Sequence, residues 1–489
     1  MPVPAVGAVK KTKLYLALDQ GGHASRALVF DDHGSVVAQA MREVRTMHPA
    51  SDWVEQDPEE LVASIQAAMG EVLHALGTRR DHVVNAGLAT QRSSIVCWDK
   101  RSGAALSPMI SWQDRRAHVW LKQFSAHADK IHKTTGLFLS PHYGASKLRW
   151  CLDHLPAVRD AHAGAYLAFG PLAAFLVFRL TREHAFLVDP ANAARTLLWN
   201  LETLNWDATL LDLFGIPDAC LPRCVPTRHE FGMLAVPGRS IPLHIVTGDQ
   251  SAALFAHGSP QADHGYINIG TGAFVQRTYG RYPGQAPGLL SGVVLQDADI
   301  VTYVIEGTVN GAGSALVWLQ ERVALPDMEQ QMPAWLQRTE EPPLFINGIA
   351  GVGSPYWVPL LESRFIGAGA PWQQAVAVLE SIVFLLQANL EEFTRVAPPL
   401  HALRVSGGLT AYAGLCTRLA DLSGLPVYRP QIYEATARGT AWLLAAYPPY
   451  WPEPAPGVWF NPAHNPSLRA RYGRWKQALH ADLAALGNG

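Results

Sequence analysis

Cysteine and charge are both scarce in this 489-residue chain. The five cysteines, Cys97, Cys151, Cys220, Cys224 and Cys416, are odd in number and scattered. That argues against a disulfide framework and for a reducing, cytoplasmic setting. Cys220 and Cys224 stand near His229, but a three-residue gap without a second ligand pair is a poor zinc pattern. Charged residues make up only 16%, and the net charge of −2 provides no basic stripe, so no nucleic-acid partner is expected. Long apolar runs are missing too. The most apolar window, 165–180, contains Gly170 and Pro171 and ends near Arg179. It falls short of the roughly 20 residues of an ordinary membrane span. A buried helix is expected there, and no membrane partner. No signal peptide is evident: residues 1–12 read as a loose, flexible tail. Short tandem repeats are absent.

What the chain has in quantity is apolar mass. Hydrophobic residues reach 48%, enough for a sizeable core, and the length suits roughly three domains or two large ones. Strand-like and helix-like stretches alternate in both halves. Residues 83–88 and 241–247 look like buried strands, while 58–76 and 374–396 carry the three-to-four spacing of amphipathic helices. This alternation predicts an α/β architecture with a sheet in each half. The expected division is one lobe over 13–255 and a second over 256–489, with a short helix over 251–257 at the boundary. A Pro/Gly-rich stretch at 281–292 reads as a surface loop. Another, rich in Pro and Trp at 447–466, reads as an irregular wrap closing the second lobe.

Two segments share one form. Residues 14–30 read as strand, glycine turn and strand, with Asp19 near the end of the first strand and Gly21, Gly22 and His23 in the turn. Residues 266–275 repeat the form around Gly270, Thr271 and Gly272. Glycine lets backbone N–H groups approach phosphate oxygens, and a strand-end Asp suits Mg2+, usually through water. Singly, each is also an ordinary hairpin; facing each other, the pair suits a polyphosphate. Asp249 follows a strand and opens a helix. A carboxylate there can take a hydroxyl proton as the oxygen attacks a phosphoryl group, although Asp is also a common helix N-cap. Arg92, Trp112 and Gln113 end two strand-to-loop segments. They suit a polyhydroxylated ligand, polar groups bonding hydroxyls while the indole covers carbon faces. The alternatives are a core position for Trp112 and a surface ion pair for Arg92. Gly407 and Gly408 follow another strand, either to let an adenine lie against the backbone or to form a tight turn.

Together these motifs resemble the FGGY carbohydrate kinases, and among them the glycerol kinases most. The resemblance runs from Lys13 to about Leu479. It rests on Asp19-Gln20-Gly21, residues 53–58, Gln91-Arg92, residues 112–116, residues 147–150 and residues 192–196. Gly248-Asp249-Gln250, Gly270-Thr271-Gly272, residues 354–357 and Gly407-Gly408 complete it. It implies two actin-like (ribonuclease H-like) ATPase lobes with a catalytic cleft between them. The implied activity is ATP- and Mg2+-dependent phosphorylation of a hydroxyl on a small polyol or sugar. Under the resemblance Asp249 is the general base and Asp19 the Mg2+-linked carboxylate. Arg92, Ser93, Trp112, His142 and Gln250 fall in the polyol site, with Phe274 as an apolar wall. Gly21, Gly22, His23, Arg26, Thr271, Gly313, Gly408 and Tyr412 fall around the phosphates and nucleotide. The resemblance leaves room for a homodimer.

The departures are specific. The glycerol kinase pattern has Glu directly after Gln-Arg, where this chain has Ser93, and a Tyr where it has His142 followed by Tyr143. Two threonines of the first turn are Gly22 and His23, Ser406 replaces an Asp, and Tyr412 replaces an Asn. Losing a carboxylate that accepts from a substrate hydroxyl weakens selection for glycerol, and the smaller Ser93 leaves space for extra carbons. The altered turn keeps one alternative open, a catalytically impaired homologue acting as ligand sensor or scaffold. An actin- or chaperone-like ATPase acting on proteins fits Gln91-Arg92 and Trp112-Gln113-Asp114 poorly.

Overall fold

Buried, leucine- and valine-rich runs form two sheets with the same strand plan. In the first, Leu14–Gln20, Ala24–Asp31 and Val36–Glu43 make an antiparallel meander. On the other side of Leu14–Gln20 lie Val83–Thr90 and Arg239–Gly248, all three parallel, and then the edge strand Met233–Val236. In the second sheet the meander is His264–Ile269, Ala273–Tyr279 and Ile300–Val309, and the parallel neighbours are Ala402–Ser406 and Val427–Arg429. Leu290–Asp297 and Val458–Phe460 form its edges. The two glycine turns therefore occupy equivalent places, each between the first and second strands of its sheet. Leu14–Gln20 is buried along its whole length, as a strand covered on both faces must be. The computed structural model describes residues 12–487 apart from 237, 283, 285, 339–340, 432–433 and 454. The tail expected over residues 1–12 lies, but for Thr12, outside them.

Helices cover the sheets for readable reasons. Asp57 caps Pro58–Ala75, its Oδ1 accepting from Glu59 N at 2.9 Å, and Pro58 occupies the first turn. Leu61, Ile65, Ala68 and Val72 then recur on one face and pack on the first meander. Pro371–Val396 lies under the second sheet. Ala435–Leu444 comes from the second half of the chain but packs on Leu14–Gln20, Val83–Thr90 and the helix Asp249–Ala253. A Cβ at Gly439 would lie 1.8 Å from the Ala252 carbonyl oxygen, so only a bare glycine allows this contact. It joins the two halves directly behind Asp249.

Several expectations are corrected. Residues 165–180 are not one helix. Leu167–Pro171 is a strand paired with Ile95–Asp99, and only Leu172–Leu180 is helical. Pro171 has no N–H for a helix interior, so the helix begins only after it. The boundary helix is the shorter Asp249–Ala253, because the chain turns where Gly258 N donates to Phe255 O at 3.1 Å. Part of the supposed loop at 281–292 is buried, since Leu290, Ser291 and Gly292 open the covered edge strand Leu290–Asp297. The wrap at 447–466 reaches beyond the second half. Trp451 stacks on Phe30, ring centroids 6.1 Å apart, and its Nε1 donates to Asp32 O at 3.1 Å. Among the described residues no helix is long and apolar enough to cross a membrane.

Candidate active site

Segments from both halves surround a cavity of about 220 Å3. The C-terminal ends of the parallel strands Val83–Thr90 and Arg239–Gly248 lead into Arg92, Ser93, Asp249 and Gln250. The loop after Met109–Ile110 brings Trp112, and the loop before helix Gly144–His154 brings His142. Gly22 and His23 close it from the first turn, and Phe274 and Glu306 face it from the second sheet. The six residues assigned to the polyol site by resemblance, with Asp249 as the seventh, thus line one space. A larger groove of about 780 Å3 adjoins it through Thr46 and Gln56, but carries none of these seven.

Trp112 is half-buried at the cavity, edge-on to His142 with ring centroids 5.4 Å apart, and is not a core residue. Arg92 is buried rather than on the surface, and its Nη2 donates to Gln250 Oε1. Tyr143 packs in the apolar cluster around Ile95 and Leu148 and is not among the lining residues, so of this pair it is the His142 imidazole that lines the cavity. Burial, with Lys147 and Arg195 nearby, pushes the His142 pKa down to about 3, which keeps that ring neutral at physiological pH.

Lys147 holds the two departures in place. Its buried Nζ donates to Ser93 O at 3.0 Å and to His142 O at 2.8 Å. Ser93 has φ +61°, in the left-handed region uncommon for a non-glycine residue. Burial lowers the Lys147 pKa from 10.5 to about 7, against the pull of Asp114. Between those values the unfolded chain binds a proton that the folded chain does not, so stability rises with pH. We expect denaturant titrations to show the wild type gaining stability over Lys147→Met as pH rises through that window. Equal pH slopes for the two proteins would contradict this.

The carboxylates have distinct settings. Asp249 Oδ1 accepts from Gln250 N at 2.7 Å, and burial raises its pKa while Arg92 opposes the rise. Burial pushes the Asp19 pKa up to about 7, the Asp249 charge adding to it and Arg26, 3.8 Å from Oδ2, working against it. Asp19 Oδ1 is buried with no hydrogen-bond partner among the described residues. No three His, Cys, Asp or Glu side chains converge as a metal cluster among the described residues, the Cys220–Cys224 region included.

Both glycine turns present free donors. In the first, Gly21 N donates to Ala24 O at 3.0 Å, while the N–H groups of Gly22 and His23 meet no acceptor among the described residues. In the second, Gly270 N donates to Gly272 O at 2.8 Å, and those of Thr271 and Gly272 are likewise free. Helix Gly313–Gln320 starts on this second turn, Gly313 N donating to Gly270 O at 2.9 Å. Gly407 has the constrained backbone at the third glycine motif. Its φ is +94°, and a Cβ would lie 2.5 Å from Ile269 O, whereas Gly408 has open space around it. Tyr412 follows that turn, packed on the apolar core of the second half. Ser406 Oγ accepts from Asn268 Nδ2 at 3.0 Å. Thr271, Gly313, Gly408, Tyr412 and Arg26 are not among the cavity's lining residues.

Sequence reasoning missed Glu306 and gave Arg195 no role. Glu306 Oε2 accepts from Arg195 Nη2 at 3.0 Å and Gln276 Nε2 at 2.6 Å, with Arg92 Nη2 at 3.5 Å. Burial raises its pKa, but Arg195 and Arg92 outweigh burial and the net shift is downward. A lone Glu within the apolar run 303–309 was the available signal, because an unpaired carboxylate is rarely buried.

Two sheets of one plan, with a glycine turn on each and a carboxylate-bearing cleft between, define an actin-like, two-lobed α/β fold. The same architecture recurs in the crystal structure of Plasmodium falciparum glycerol kinase with ADP. Their TM-score is 0.86 at 22% identity, over 96% of this chain and 98% of that one. The N-terminal domain model of the FGGY family of carbohydrate kinases matches residues 14–256, and the C-terminal domain model matches 265–447. A glycerol kinase of Trichlorobacter lovleyi is 36% identical over 448 residues, 89% of this chain and 90% of that protein. Another, of Acidovorax ebreus, is 35% identical over 443 residues, 88% and 89% of the two lengths. The chain belongs to the FGGY family of carbohydrate kinases, and within it is glycerol kinase-like.

Proposed function

We propose that the protein transfers the terminal phosphoryl group of ATP to a hydroxyl of a polyol or ketose longer than glycerol. The convergence of Asp249, Arg92, Gln250 and Trp112 on one cavity, closed by the Gly21–His23 turn, carries this reading. Arg92 and Gln250 donate to substrate hydroxyls while Trp112 and Phe274 cover the carbon chain. Asp249 takes the proton of the attacking hydroxyl, and its raised pKa brings it nearer to that of a useful base. The free N–H groups of Gly22, His23, Thr271 and Gly272 suit phosphate oxygens. Those donors are backbone groups, so the loss of two threonine hydroxyls leaves them in place, which favours an active enzyme over an impaired homologue. The orphaned Asp19 Oδ1, beside a second carboxylate, fits a divalent cation. Asp19 would hold Mg2+ with water and phosphate oxygens, and the ion would neutralise phosphate charge. Residues 13–255 and 256–489 act as the two lobes of this enzyme, and a cytoplasmic location suits its free cysteines.

Ser93 sets the substrate size in this proposal. Glycerol is expected to be a poor acceptor, and Ser93→Glu to improve its use relative to four- and five-carbon polyols. The added carboxylate restores a hydroxyl acceptor and fills the space Ser93 leaves. The check is kcat/KM for each acceptor with both proteins, with products identified by phosphorus NMR. A wild-type preference for glycerol over every longer candidate would overturn the size assignment.

A further inference from the structure

The cavity lacks the carboxylate at position 93, yet it is not short of one. Glu306 lines it from the opposite sheet, with its side chain only 2% exposed. Its two oxygens are not equivalent. Oε2 is occupied by Arg195 and Gln276, with Arg92 close by. Oε1 has no hydrogen-bond partner among the described residues, and it is not one of the fully enclosed orphan atoms either. Glu306 therefore keeps an acceptor with room beside it, in the cavity that Arg92, Trp112 and Asp249 line. A carboxylate oxygen in a closing cleft must keep a donor, because leaving it unpaired once water is displaced is costly. A ligand hydroxyl that displaces that water supplies the donor.

We infer that Glu306 is a substrate-binding residue whose Oε1 accepts a hydrogen bond from a polyol hydroxyl, supplying the charged acceptor that position 93 lacks. Arg195 and Gln276 hold the carboxylate in the rotamer that presents Oε1. Arg92, between Gln250 and Glu306, orders the donors around the same ligand. Two consequences follow from the position of Glu306 on Ile300–Val309. The accepted hydroxyl belongs to a part of the substrate facing the second sheet. The substrate also bridges the two halves, because Arg92, Gln250 and Asp249 come from the first.

This inference rests on the polyol-kinase reading, and one experiment separates the two. Binding of a preferred polyol and each of its monodeoxy analogues is followed by calorimetry, in wild type and Glu306→Gln, with ADP release measured in parallel. In the wild type one analogue should bind about tenfold to a hundredfold more weakly than its parent, the range for a hydrogen bond to a charged acceptor. In Glu306→Gln that discrimination should shrink several-fold, while the other analogues keep theirs. A uniform loss across parent and analogues would make Glu306 a scaffold only and overturn the inference, leaving the kinase reading intact. Wild type that binds no polyol and releases no ADP with any would overturn both. Should Glu306→Gln not fold, Glu306→Asp keeps the charge beside Arg195 but withdraws Oε1 by one methylene. It should show the same selective loss, and unchanged discrimination would overturn the inference.

Discussion

Asp249→Asn is expected to lower turnover by at least about a hundredfold, the low end of what a general base contributes, without unfolding the protein. Asn keeps the side-chain shape and an oxygen that can accept from Gln250 N, the 2.7 Å bond seen here. It removes only the charge and the ability to take a proton. Burial already disfavours that charge, as the raised pKa of Asp249 shows, so its loss should leave stability equal or slightly higher. The two measurements are kcat at saturating acceptor and ATP, and the denaturant midpoint. Near-normal turnover would remove Asp249 from the chemistry. A large drop in midpoint would make it a structural residue instead.

Gly439→Ala should be among the most damaging single-methyl additions in the chain. The new Cβ would start 1.8 Å from the Ala252 carbonyl oxygen, and neither partner is a flexible side-chain end. One helix has to move off the other. Overpacking of this kind costs about 1–3 kcal/mol or more. Because Ala252 shares the helix Asp249–Ala253 with the base, displacement should also lower turnover. Gly473→Ala is the control. It lies in helix Pro466–Gly487, and nothing stands within 4 Å of its added Cβ. That change should stabilise by up to about 1 kcal/mol, the helix propensity difference between the two residues. Equal midpoints for the two variants would contradict the close helix contact behind the site.

The parts of this molecule that were legible in the sequence are those written locally. A strand, a glycine turn and a second strand occupy fewer than twenty residues each time, so both hairpins could be read directly. Asp249, Arg92 and Trp112 stood at strand ends with distinctive neighbours. Glu306 could not be read that way, because its partner Arg195 is 111 residues away in the chain. Nothing near Glu306 in sequence explains a buried charge. The mixed strand and helix at 165–180 was hidden because a run so largely apolar has no periodicity to distinguish the two. At the third glycine motif only backbone geometry shows that Gly407, not Gly408, carries the positive φ. Contacts such as Gly439 on Ala252, or Trp451 on Phe30, join residues far apart in sequence and leave no local pattern.

The central claim is phosphoryl transfer to a hydroxylated acceptor in the cavity around Asp249. ADP release with Mg2+ and ATP, measured without acceptor and then across glycerol, four- and five-carbon polyols and ketoses, tests it most directly. We expect little release without acceptor, strong stimulation by at least one longer polyol or ketose, and loss of that stimulation in Asp249→Asn. Release that is the same with and without every acceptor, or is unaffected by Asp249→Asn, would contradict the account.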